Sequence, residues 1–101
     1  MSAKFQELIN SERPVLVDFF ATWCGPCKVQ SSVLTTVKEN VGNLARIVKI
    51  DIDQHPAIAS EYGVRGVPTL AVFKEGKLFY KESGVHDVNR LTELLNKYAE
   101  A

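Results

Sequence analysis

The 101-residue sequence has no long apolar run, no excess of charge of either sign and only two cysteines. No apolar run approaches the ~20 residues of a membrane-spanning helix, so we expect no membrane association. Twelve basic and 12 acidic side chains balance, which leaves no basic excess to release counterions from a nucleic acid. Two cysteines are also too few for a small secreted protein held together by several disulfides. We therefore expect a protein that binds neither nucleic acids nor membranes.

The length of the chain predicts a single domain, residues 1–101, with one hydrophobic core. Hydrophobic residues make up 46% of the sequence and charged residues 24%, as is typical of a soluble globular protein. Residues 1–5 lack the apolar segment of a signal peptide and lead directly into a helical pattern. We therefore expect a cytoplasmic protein, unless a leader was removed before this numbering begins.

Hydrophobic periodicity predicts alternating strands and helices along the whole chain. Helices are expected over residues 3–12, 25–40, 56–62 and 88–99, and strands over 15–20, 45–52, 69–74 and 77–81. The first strand is apolar on both faces, which is typical of a central strand, and the last two strands form a hairpin around Glu75-Gly76. The helix over 25–40 is expected to bury Val29, Val33, Leu34 and Val37. The predicted fold is α/β, with a mixed sheet that is flanked by helices on both faces.

The two cysteines lie two residues apart in the segment WCGPCK, residues 23–28, directly after the first strand. This spacing at a strand-to-helix junction favours redox chemistry over metal binding. Cys24 would lie at the helix N-terminus, where the dipole and free N–H groups stabilise a thiolate. Cys27, one turn further on, is expected to be less exposed and to resolve a mixed disulfide. Gly25 and Pro26 keep the connection between the two sulfurs short.

Two other interpretations of the cysteine pair remain open. The thiols could be unrelated buried side chains, because free cysteine is often buried. They could also form half of a zinc site, which needs about four ligands. The remaining good donors are His55 and His86, and neither shows metal-site spacing to the cysteines. We expect no metal, and we expect both histidines to be caps or surface residues rather than catalysts.

Flanking segments strengthen the redox interpretation. Residues 17–19 (Val-Asp-Phe) precede the cysteine motif and residues 67–69 (Val-Pro-Thr) follow it. With these flanks the motif resembles the active site of the thioredoxin family, and the resemblance extends over almost the whole chain. It implies a thioredoxin fold with a four-stranded mixed sheet, in which the extra N-terminal strand of many members is missing. Strand 45–50 should then be a sheet edge, protected by Arg46 and Lys49.

The resemblance also implies an activity. The protein should be a thiol–disulfide oxidoreductase that reduces protein disulfides through a redox-active Cys24–Cys27 disulfide, with Cys24 as nucleophile and Cys27 as resolving cysteine. Gly25 and Pro26 should tune the redox potential towards a reductant. No bound cofactor is expected; electrons should come from NADPH through thioredoxin reductase, and the partners should be that reductase and disulfide-containing client proteins. We expect a monomer, and the sequence leaves open whether the exposed edge pairs two copies.

Alternative activities are compatible with the same motif. One is a disulfide oxidase or isomerase on the same fold. Another is a thioredoxin-fold binding module whose partner uses the surface and not the redox change.

A carboxylate and a lysine are expected to support the cysteines. Asp18 lies in an apolar strand, where burial should raise its pKa, and the resemblance assigns it the role of general base and acid for Cys27. The alternative is a solvated Asp at a sheet edge. The resemblance places Lys49 near Asp18 as an electrostatic modifier, and the alternative is an ordinary exposed lysine.

A substrate-binding rim is also implied by the resemblance. Pro68 should follow a cis peptide bond and pack against the cysteine pair, and Val67 should pair its backbone with an extended substrate segment. From the residues alone, Gly66-Val67-Pro68 could equally be a simple turn. The expected rim is flat and apolar and consists of Trp23, Gly25, Pro26, Val67, Pro68, Gly84 and Val85.

Overall fold

Four strands and four α-helices make up the computed structural model, which describes residues 2–100. The strands are β1 (Val15–Phe20), β2 (Arg46–Asp51), β3 (Thr69–Lys74) and β4 (Lys77–Ser83). The helices are α1 (Ala3–Ile9), α2 (Gly25–Val41), α3 (Pro56–Glu61) and α4 (Val88–Glu100), and a short 3₁₀ helix, Gly42–Leu44, follows α2. Among these residues, no helix combines the length and the hydropathy needed to cross a bilayer.

The strands form one mixed sheet in the order β2-β1-β3-β4. Strand β1 is parallel to β2 and antiparallel to β3, and β3 and β4 form an antiparallel hairpin. This arrangement confirms the predicted mixed sheet with β1 at its centre. Strand β2 lies at one edge, as predicted, because no strand precedes α1 within the described residues.

Each face of the sheet is covered by a pair of helices. On one face, Phe5 and Ile9 of α1 and Ile58 of α3 pack against the odd-numbered residues of β1. On the other face, helices α2 and α4 pack against Leu16 and the even-numbered residues of β3. Because side chains alternate along a strand, Asp18 points to the same face as Leu16, which is the face covered by α2.

Several predicted boundaries are corrected. Helix α1 was expected to reach residue 12 but ends at Ile9. The carbonyls of Ile9 and Ser11 accept hydrogen bonds from Gly76 and Glu75 at the hairpin turn (3.1 and 2.8 Å), so this segment supports the hairpin instead of continuing the helix. Strand β4 is two residues longer than predicted and ends at Ser83. The other boundaries lie within one residue of the prediction.

The buried face of α2 also differs from the prediction. Val29 was expected to face the core, yet its side chain is 56% exposed. The buried residues recur at helical spacing and are Cys27, Gln30, Leu34, Val37 and Val41. Val29 was expected to be buried only because its side chain is apolar. The residues that α2 buries include the glutamine Gln30 instead. The burial of Gln30 was therefore missed by the sequence analysis.

Candidate active site

The cysteine pair lies where β1 ends and α2 begins. A turn follows Phe20, in which the Cys24 N–H donates to the Ala21 carbonyl (3.2 Å). Cys24 is the N-cap of α2, and its Sγ accepts a hydrogen bond from the Cys27 N–H (3.1 Å). The two cysteines form a disulfide with their Cα atoms 5.3 Å apart. The sulfur of Cys24 therefore lies beside free N–H groups at the positive end of a helix, where a thiolate is stabilised.

The two cysteines do not differ in exposure. We expected Cys27 to be the less exposed of the two, but in this disulfide form both are 4% exposed. Both pack with Ala21, with Val67 partly covering the cluster. The asymmetry between the two sulfurs is instead one of position, since Cys24 Sγ lies at the helix cap and 3.6 Å from the Val67 carbonyl oxygen.

The side chain of Asp18 is completely buried. Burial raises the pKa of Asp18 from 3.8 to about 6, while the nearby positive charge of Lys49 lowers it in part. Neither carboxylate oxygen has a hydrogen-bond partner among the described residues. The buried carboxyl with a raised pKa is therefore as predicted, and the alternative of a solvated edge residue is wrong.

Lys49 has features of both interpretations given above. Its side chain is exposed, and its Cα pairs with that of Asp18 across β1 and β2. The Nζ atom donates to Ser31 Oγ (2.8 Å) and lies 4.7 Å from the centre of the Phe20 ring. Lys49 also lines a surface cleft together with Cys27. The lysine is thus held at the surface, near both the buried carboxyl and the second cysteine.

The loop before β3 closes the site from the other side. The Val67–Pro68 peptide bond is cis, as the resemblance implied, and Pro68 is buried. The Pro68 carbonyl accepts a hydrogen bond from the Gly84 N–H (2.9 Å). Gly84 has a positive φ of 101°, a conformation that favours glycine. This hydrogen bond joins the loop of Pro68 to the turn after β4.

The residues predicted to form the rim are mostly exposed. Trp23 is 70% exposed, and Val85 is 45% exposed. The indole N–H of Trp23 donates to Asp53 Oδ2 (2.9 Å), which fixes the ring against the loop after β2. Gly25, Pro26 and Gly84 are exposed, Val67 is partly buried and Pro68 is buried. Most of the residues predicted to form the rim are therefore accessible, and their binding of a client stays a prediction.

A buried polar pair beside the site was missed by sequence reasoning. His86, which we expected at a cap or on the surface, is almost fully buried and contacts Gln30 of α2. Helical spacing from Cys27 to Gln30 and Leu34 could have indicated this, because it places Gln30 on the buried face of α2.

Within residues 2–100, no cluster of three or more His, Cys, Asp or Glu side chains could hold a metal ion.

Comparisons with known proteins agree with this geometry. The Thioredoxin family model matches residues 1–97. A thioredoxin of Porphyra purpurea is 45% identical over 93 residues, which cover 92% of this chain and 87% of that protein. A thioredoxin-like protein of Synechocystis is 40% identical over 97 residues, covering 95% and 92% of the two chains. The structure of a mutant thioredoxin from Halobacterium salinarum has a TM-score of 0.90 at 38% identity and covers 100% of this chain and 88% of that chain.

Proposed function

Because this chain belongs to the thioredoxin family and is a thiol–disulfide oxidoreductase, we propose that Cys24 attacks client disulfides and that Cys27 resolves the resulting adduct. The observation that carries these roles is the position of Cys24 at the cap of α2. Its sulfur accepts the Cys27 N–H and lies next to the Val67 carbonyl. A thiolate at Cys24 gains this N–H donor, and a client strand beside Val67 would lie within reach of it.

The reaction is a two-step exchange. The Cys24 thiolate attacks one sulfur of a client disulfide, the client S–S bond breaks, and the departing client thiolate takes up a proton. Cys27 then loses its proton and its thiolate attacks Cys24 in the mixed disulfide. The second client thiolate leaves and is protonated. Two electrons have passed to the client, and the protein ends as the Cys24–Cys27 disulfide.

Asp18 is the proposed general base for the second step, and it acts through a water molecule. A carboxyl with a pKa of about 6 is mostly ionised at neutral pH, yet it binds a proton more readily than an exposed aspartate. Lys49 modifies this basicity, because its positive charge lowers the pKa of Asp18. Gly25 and Pro26 set the short connection that tunes the redox potential.

The complete cycle requires a source of electrons. We propose NADPH, delivered through thioredoxin reductase, with disulfide-containing client proteins as the oxidised partners. We further propose that the protein acts as a monomer in the cytoplasm, where thiols are kept reduced. Fractionation of cells that express the protein, and size-exclusion chromatography with light scattering, test the last two points. Recovery in a membrane or secreted fraction, or as a stable dimer, would contradict them.

Two single-cysteine variants test the order of attack. Cys27→Ser should accumulate a mixed disulfide with an oxidised client, because the first step proceeds and the second is blocked. Cys24→Ser should form no such adduct and should lack turnover. Mass spectrometry under non-reducing conditions measures both. An adduct that forms on Cys24→Ser but not on Cys27→Ser would reverse the assigned roles.

The midpoint potential of the couple tests the direction of electron flow. Equilibration of the protein in defined dithiol/disulfide buffers should give a strongly reducing two-electron couple, comparable to the value of about −270 mV that is known for thioredoxin itself. A markedly oxidising value would favour an oxidase or isomerase. A double Cys24→Ser, Cys27→Ser variant that keeps its cellular function would favour a redox-independent binding module.

A further inference from the structure

Gln30 is a fully buried amide on the helix that carries the cysteines. It lies one turn after Cys27. Its Oε1 accepts a hydrogen bond from the His86 N–H (2.7 Å), and its Nε2 donates to the His86 carbonyl (3.0 Å). One side chain thereby satisfies both backbone groups of a residue that is 56 positions away in the sequence.

The imidazole of His86 continues this connection towards the rim. Its Nδ1 lies 2.8 Å from the Gly84 carbonyl oxygen, and because a carbonyl only accepts, Nδ1 carries the proton in this contact. The Gly84 N–H donates to the Pro68 carbonyl (2.9 Å). The turn after β4 is therefore hydrogen-bonded to the cis-proline loop on one side and, through His86 and Gln30, to α2 on the other.

A third contact supports the ring from outside. His86 Nε2 lies 2.9 Å from the hydroxyl of Tyr80, whose ring meets the imidazole edge-on at 5.9 Å between centroids. The Tyr80 hydroxyl also contacts Glu82 and Arg90 (2.7 Å each). The imidazole is thus fixed on both nitrogen atoms and cannot rotate without losing hydrogen bonds.

A glutamine at this core position is costly, because an apolar side chain could fill the same space without polar atoms to pair. A buried amide is tolerated only when its polar atoms are paired. The benefit of Gln30 therefore lies in the segment that its hydrogen bonds hold in place. They hold residues 84–86. Within this segment the Gly84 N–H donates to the Pro68 carbonyl, whose neighbour Val67 packs against the cysteine pair, and Val85 is 45% exposed. Gln30 therefore fixes the backbone of the turn after β4, which is hydrogen-bonded to the cis-proline loop beside the disulfide.

We propose that Gln30 and His86 form a latch that positions the Gly84–Val85 segment for the docking of protein clients. Gln30 is then a positioning residue that acts on client binding and not on the exchange chemistry. The proposal rests on the proposed reduction of protein disulfides. A small disulfide that reaches Cys24 without touching the rim should depend on the latch much less than a protein disulfide does.

The test is the variant Gln30→Met, which has a similar length and no hydrogen-bonding amide. Reduction of insulin and of the small disulfide dithiobis(nitrobenzoate) is measured with the reduced protein, together with the Cys24–Cys27 midpoint potential. A less ordered Gly84–Val85 segment should lower kcat/KM for insulin on the order of 3- to 10-fold, mainly through KM, which corresponds to about one net hydrogen bond. The fall for the small disulfide should be clearly smaller, and the potential should stay close to that of the wild type.

The matched control is Gln6→Met on α1, outside the latch, which removes the hydrogen bond from the Gln6 amide to the Tyr62 hydroxyl. It should affect both substrates alike. Equal losses for insulin and the small disulfide in Gln30→Met would overturn the latch and leave Gln30 a purely structural residue. If Gln30→Met does not fold, His86→Leu replaces it, since it removes the contact to Gly84 but keeps the backbone groups that bind Gln30. The same comparison then decides the proposal. Wild-type protein that reduces neither substrate would instead refute the proposed function.

Discussion

Replacing Asp18 by asparagine removes a buried carboxyl whose oxygens lack a hydrogen-bond partner among residues 2–100. The replacement has nearly the same shape and cannot ionise. The wild-type protein must ionise Asp18 inside the fold at neutral pH, whereas the variant does not. The difference in stability between the two proteins should therefore depend on pH, whatever constant cost the buried amide adds.

The size of this dependence follows from the pKa shift. Burial raises the pKa of Asp18 from 3.8 to about 6, and each pKa unit corresponds to about 1.4 kcal/mol. The folded state binds the proton more tightly, so the stability contribution is full below pH 3.8 and is lost as the pH rises through 6. Wild-type protein should therefore lose about 2–3 kcal/mol relative to Asp18→Asn between pH 4 and pH 8.

Urea unfolding of the oxidised proteins, followed by circular dichroism at pH 4, 5, 6, 7 and 8, measures this difference. The control is Glu39→Gln, which neutralises an exposed carboxylate on the same helix as the cysteines. A difference between wild type and Asp18→Asn that stays constant within about 0.5 kcal/mol, the usual size of surface effects, would show that Asp18 is not a buried ionisable group. The same variant should also slow the resolution of mixed disulfides, if Asp18 is the base for Cys27.

Three further changes have defined outcomes. Lys49→Met removes the charge that lowers the pKa of Asp18, so the loss of stability in the pH series should move to higher pH; a move to lower pH would contradict the electrostatic role. Gly84→Ala forces a side chain onto a φ of 101° and should lower the free energy of unfolding in urea by about 1–3 kcal/mol. Gly66→Ala should be nearly neutral, because Gly66 has no positive φ and lies in open space. Equal effects of the two changes would refute the conformational argument. Leu95→Ala, in the core beside α2, should lower the free energy of unfolding by about 2–5 kcal/mol. Its control is Leu44→Ala, which should lower it far less in the same unfolding experiment, because Leu44 is half-exposed.

Local patterns predicted much of this fold. The run of apolar residues in β1, the turn at Glu75-Gly76 and the amphipathic α4 are determined by neighbours within a few positions, and all three are present. The N–H of Arg90 also donates to Asp87 Oδ1 (2.8 Å), so that an aspartate directly before α4 caps its N-terminus. Where a structural element is determined by neighbouring residues alone, the sequence is sufficient to predict it.

Errors occurred where distant segments decide the outcome. The orientation of α2 depends on what it packs against, so an apolar Val29 faces solvent while Gln30 is buried. Gln30 is stable there only because His86 supplies both of its partners from beyond β4. Periodicity cannot detect such a pair, because neither residue is apolar. The cis bond and the rim were predicted from family resemblance and not from the local residues.

The long separations in the sequence between parts of the site bear on its biosynthesis. Cys24 meets the Val67 carbonyl across 43 residues, and Gln30 meets His86 across 56. During synthesis on the ribosome, both thiols are therefore present in the chain well before the cis-proline loop or the segment held by the latch has been added. The Val67 carbonyl and His86 can take their places beside α2 only when β3 and β4 have joined the sheet. The order of synthesis thus makes the thiols the first part of the site to exist and the loops around them the last.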